Sequence, residues 1–119
     1  MIENFNILAA LLTIAFGAFG FVAPRFTMDV LDLKDTESTM GLSEMRASVG
    51  GLFVGMGLFM LVFPAPMVLV TAGVAYAGAA LGRVVSLVLD APPRGKLLLY
   101  FAVEAGLAAW LVLANAPTG

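Results

Sequence analysis

The chain has 119 residues, of which 61% are hydrophobic and 12% charged, with a mean hydropathy of +1.03; this excludes an ordinary soluble globular domain and points to lipid as the main solvent. Six Lys and Arg against eight Asp and Glu leave a formal net charge of -2, so there is no basic surface for nucleic acid. With no Cys and no His, disulfides, thiol nucleophiles, imidazole bases and the usual zinc or haem ligands are absent, and no cofactor or metal site is expected.

The N-terminal "MIENFN" carries Glu3 and no Lys or Arg ahead of a long apolar run. A signal peptide has a basic region before a shorter apolar core, so the first segment is expected to be a retained anchor, although "GAFGFVAP" holds small residues of the cleavage-site type. No charge falls between Glu3 and Arg25, and none between Arg46 and Arg83. A membrane helix needs roughly 20 apolar residues at about 1.5 Å each, so the first gap holds one helix and the second most of two.

Within the second gap, "FPAPM" sets Pro64 and Pro66 close together, removing amide donors and disfavouring helical geometry before each proline. "DAPPRGK" ends the next helix, and "LLLYFAVEAGLAAWLVLANA" makes the last. The predicted elements are helices near 5–23, 43–63, 67–89 and 97–115: an all-α, integral membrane four-helix bundle forming a single domain over residues 1–119. Strands are not expected, because the apolar runs are about twice the length of a barrel strand and do not alternate.

The polar segment "RFTMDVLDLKDTESTMGL", in a loop at about 24–42, places Phe26, Val30 and Leu33 near one helical face. It reads as an interfacial helix or turn, or as a lid over a cytoplasm-facing cavity. Its acids lack the glycine and terminal Glu of a calcium loop. This loop and the one at 90–96 lie two spans apart, hence on one side. Arg25, Lys34, Arg46, Arg83, Arg94 and Lys96 all lie on or towards that side, which the positive-inside rule makes cytoplasmic. The expected location is the bacterial cytoplasmic (inner) membrane, with both termini on the periplasmic or exterior side.

Small residues recur at helical spacing: Ala47, Gly51 and Gly55 in one helix, Gly78, Gly82 and Ser86 in the next. Such stripes let helices approach closely in lipid, and they are the expected packing surfaces. "GGLFVGMG" follows no strand, so it is not a nucleotide loop.

Arg83 stands alone in an apolar run, and the symmetry of an antiparallel hairpin shows what stands level with it. Arg83 and Glu104 are equally far from a turn centred between Pro93 and Arg94, about 10 to 15 Å of helix from it. Glu44 and Arg46 fall near the same level on the second helix. These four form the candidate polar cluster and possible ligand site, with Arg46 the one placed to snorkel towards the interface. Ser48, Tyr76, Ser86, Asp90 and Tyr100 are candidate supporting groups, because a guanidinium has donors that one carboxylate leaves open. The cluster is either a buried salt bridge that fixes helix register or a site open to the cytoplasmic leaflet. Trp110, off the Glu104 face, reads as an interfacial anchor.

"LSEMRASVGGLFVGMG", "AGAALGRVVSLVLDAPP" and "YFAVEAG" together resemble a family of small bacterial four-helix membrane proteins catalogued as a domain of unknown function, number 4345. The resemblance covers nearly the whole chain and rests on Glu44, Arg46, Gly50, Gly51, Gly82, Arg83, Asp90 and Glu104. It implies a four-helix membrane fold and supplies no activity. The residues point first to a non-enzymatic bundle that packs with itself or joins a larger membrane complex, with membrane lipids as surroundings. An alternative is a carrier for a lipid or small anionic amphiphile at the Arg/Glu site, and a third is a small proton-coupled transporter. No nucleophile, base and oxyanion constellation marks an enzyme.

Overall fold

The computed structural model describes residues 1–117 and is mostly helical, with no strand among the described residues. Five helices occur: α1 (Ile2–Val22), α2 (Pro24–Val30), α3 (Met40–Val62), α4 (Pro66–Leu89) and α5 (Arg94–Asn115). All but α2 are long and apolar enough to cross a membrane. At most 33% of the most apolar window of any of these four is buried, so most of their apolar surface faces outward. Two compact units divide the chain between Phe63 and Pro64.

Prolines set the helix ends. Ala23 leaves helical geometry just before Pro24, as Phe63 does before Pro64, because the proline ring crowds the residue ahead of it. Pro24 and Pro66 then open α2 and α4 at positions where no amide donor is needed. Helix α5 starts at Arg94, earlier than the expected 97, because its first turn is polar and hydropathy does not mark it.

The polar segment after α1 is helical only over α2, which closes in a Schellman turn. The Leu33 amide donates to the Met28 carbonyl at 2.8 Å and the Asp32 amide to the Asp29 carbonyl at 3.1 Å. Asp32 takes the left-handed position (φ 62°) that glycine usually fills. Phe26, Val30 and Leu33 are all exposed, and Arg25 donates to Asp35 at 3.0 Å.

Helix α3 is not uniformly α-helical: Met45–Gly51 form a π segment, and the Leu52 amide donates to the carbonyl of Ala47, five residues back. The wider turn puts residues before it out of phase with those after it. The expected stripe of Ala47, Gly51 and Gly55 is therefore broken.

Within the first unit, the close approaches of α1 and α3 fall on other glycines. A Cβ on Gly57 would lie 2.6 Å from Ile14 Cγ1 and 2.9 Å from the Ala10 carbonyl oxygen. Gly17 stands equally close to Val54 and the Gly50 carbonyl, and Gly50 to the backbone of Phe21. In the second unit Gly73 does the same against Leu111 and Val112, where Leu69, Ala72, Tyr76, Ala80, Leu97, Ala108 and Leu111 are buried.

The expected packing glycines Gly55, Gly78 and Gly82 have nothing within 4 Å of where a Cβ would stand, and Gly51 meets only the Arg46 carbonyl of its own helix. Ala47 is exposed. Sequence spacing identified small-residue stripes, but the stripes that seat the hairpin partners are different ones. Gly57→Ala is expected to destabilise the chain by about 1 to 3 kcal/mol through overpacking. Gly55→Ala, where a Cβ meets nothing, is expected to stabilise the helix by up to about 1 kcal/mol, and unfolding midpoints in mild detergent compare the two.

Candidate functional site

The expected pairing on the second unit is present. Helices α4 and α5 run back to back, and Arg83 Nε donates to Glu104 Oε1 at 2.8 Å while Nη2 reaches Oε2 at 3.4 Å. The side-on geometry uses both carboxylate oxygens, the arrangement in which a guanidinium gains most from a carboxylate. The guanidinium carbon also lies 5.3 Å from the centroid of the Tyr100 ring, within cation–π range. Tyr100 precedes Glu104 by one helical turn, so both come from one stripe of α5.

This salt bridge is not buried, contrary to the sequence expectation. The Arg83 side chain is 35% exposed and that of Glu104 17%. Beside Arg83, nothing stands within 4 Å of where a Cβ on Gly82 would lie. Nη1 donates to no atom among the described residues.

The other candidates find partners of their own. Ser86 Oγ donates to Asp90 Oδ2 at 2.9 Å, and the Asp90 amide returns to the Ser86 carbonyl. These two close the C-terminal turn of α4 and do not join the ion pair, because each meets the other one helical turn away. Tyr76 is buried in the interface with α5 and makes no bond to Arg83.

In the first unit Glu44 accepts a hydrogen bond from Ser48 Oγ at 3.1 Å, again across one turn. Arg46 Nη1 donates to the carbonyl of Phe21 at 2.7 Å. That carbonyl lies in the last turn of α1, where intrahelical donors run out, so Arg46 caps a neighbouring helix. Neither Glu44 nor Arg46 forms an ion pair among the described residues. The four charges expected in one cluster are thus accounted for as one ion pair and two separate local contacts. Trp110 is half-buried on α5.

Sequence reasoning missed the Phe21 carbonyl as a partner, since backbone acceptors carry no sequence signal. It also passed over Thr39 and Ser43, which line an open groove with Leu42, Arg46 and Ala47. Their spacing of one turn from each other, with Arg46 three residues on, was the available signal. No group of three or more acids gathers to hold a metal ion among the described residues.

Comparison with known families decides the affiliation. The model of the family described as "Domain of unknown function (DUF4345)" matches residues 3–115. The chain belongs to this family. No curated protein and no solved structure matches it. Among the residues on which the resemblance rests, Arg83 and Glu104 are joined by a side-chain ion pair.

A double-mutant cycle tests what the pair does. Arg83→Leu and Glu104→Leu are each expected to destabilise the chain more than the double substitution does, because each alone leaves a partly buried charge without its partner. The coupling expected for a partly exposed bidentate pair is about 1 kcal/mol or more. Additive losses in detergent unfolding would show that the contact carries no energy.

Proposed function

We propose that this chain is a multi-pass integral membrane protein without catalytic activity, a helical packing unit that associates with itself or serves as an accessory subunit of a larger membrane complex. The observation that carries this reading is the division of its glycines into two sets. Gly17, Gly50, Gly57 and Gly73 are consumed by the hairpin interfaces. Gly55, Gly78, Gly82 and Gly106 open onto free space, on helices otherwise covered with large apolar side chains. A lone glycine facing lipid forfeits packing, whereas glycines at four-residue spacing such as Gly78 and Gly82 admit another helix backbone at close range. The Arg83–Glu104 pair, formed within its own hairpin, supports a role in holding register.

The reading carries a location with it: the cytoplasmic (inner) membrane of a bacterium, with the polar segment around α2 and the α4–α5 turn on the cytoplasmic side and both termini outside. A second reading has one observation in its favour. The unpartnered, partly exposed edge of Arg83 can receive a carboxylate or phosphate, as a carrier of an anionic amphiphile requires. A proton-coupled transporter ranks third, since the first span has no acid beyond Glu3.

Gly78→Leu combined with Gly82→Leu is expected to convert an oligomer or complex to monomer in native mass spectrometry while the monomer keeps its helix content by circular dichroism. An assembly that survives both substitutions would sink the packing reading. Because the chain has no Cys, Ser38→Cys gives a background-free probe of orientation. An impermeant maleimide should label it in inverted membrane vesicles and not in intact cells.

A further inference from the structure

The start of α3 carries a cation and free hydroxyl donors in one place. Thr39, Leu42, Ser43, Arg46 and Ala47 line an open groove of about 610 Å³. Thr39 is the N-cap of α3, Ser43 follows one turn on and Arg46 stands at the start of the π segment, and all three line the same groove. The Thr39 and Ser43 hydroxyls have no hydrogen-bond partner among the described residues; only the backbone of the two is engaged, the Ser43 amide donating to the Thr39 carbonyl.

No acid lines the groove among the described residues. Glu44, next in sequence to Ser43, is occupied by Ser48, and Asp35 holds Arg25. Arg46 is oriented in advance. Its Nη1 is tied to the Phe21 carbonyl at 2.7 Å, and Nε and Nη2 have no partner among the described residues. That edge of a guanidinium is the one that grips two oxygens of an anion side by side.

One positive charge, two hydroxyl donors and no competing carboxylate select an anion with more than two acceptor oxygens. A carboxylate has two, so the set is better matched by a phosphate ester. The groove sits at the polar end of a span-length helix, with the apolar Leu42 and Ala47 in its wall and exposed Met40 beside it. We propose that this groove binds the phosphate of a phosphate ester, supplied either by an anionic phospholipid headgroup or by a soluble phosphate compound. The site is separate from the Arg83–Glu104 pair, and only its lipid source depends on the chain lying in a bilayer.

The experiment uses the full chain purified in mild detergent. One arm offers phosphatidylglycerol and phosphatidylcholine in equal amounts and reads retained lipid by native mass spectrometry. The other measures protection against thermal unfolding by inorganic phosphate. Two variants are compared with the parent: Arg46→Gln, and Thr39→Val with Ser43→Ala, which leaves the Arg46–Phe21 contact in place.

A preference for phosphatidylglycerol that falls about tenfold in both variants supports the lipid source; tenfold is the scale of one charge-assisted hydrogen bond. Protection by phosphate that is lost in both variants, without lipid preference, supports the soluble source. Equal behaviour of the parent and the hydroxyl double variant in both arms overturns the site. The oligomeric state is read from the same spectra, so a monomer that keeps its lipid preference refutes the packing role while leaving this site standing.

Discussion

The distance between helix backbones at the buried glycines governs the first unit. Gly57 lets the Ala10 carbonyl and Ile14 come to where a Cβ would be, and Gly17 admits Val54 and the Gly50 carbonyl in the same way. With backbones this close, small and β-branched neighbours make extensive dispersion contact, and Thr13, Ala9, Ala10 and Met60 become almost wholly buried. The second unit repeats the device at Gly73, against Leu111 and Val112, above a face that also buries Tyr76. Large side chains elsewhere are then free to point outward, which explains why apolar helices bury so little of themselves.

Polar groups on these helices obey a second constraint, that hydrogen bonds be completed nearby. Thr13 donates to the Ala9 carbonyl, Thr71 to Met67, and Asn115 to Leu111, each one turn back along its own helix. Ser48 with Glu44 and Ser86 with Asp90 follow the same habit. Arg83 and Arg46 depart from it. Each reaches across to another helix, Arg83 to a carboxylate and Arg46 to a backbone carbonyl at the end of α1. The two arginines therefore tie helices together within their own units, and both keep guanidinium donors without a partner among the described residues.

That residue of unused donors, together with the open glycines, separates the functional readings. A bundle meant only to be stable has no need of Gly78 and Gly82 on an exposed face, where alanine would favour the helix by about 1 kcal/mol each. A binding protein needs oriented donors, and the Phe21 carbonyl supplies the orientation for Arg46. The proposed packing glycines and the proposed anion site at the start of α3 share no residue.

The sequence by itself determined the all-α class, the four span-length helices, their proline-set ends and the Arg83–Glu104 contact. These follow from local rules: charge-free runs, missing proline amides, and equal distance from a hairpin turn. The tertiary structure alone decided which glycines meet a neighbour, that Met45–Gly51 widen into a π segment, and that Arg46 caps α1 instead of joining an acid. The choice between Gly55 and Gly57 depends on helix phase, and one extra residue in a turn rotates everything before it. A backbone carbonyl such as that of Phe21 looks the same at every position in a sequence, so only the approach of two helices can make it a partner.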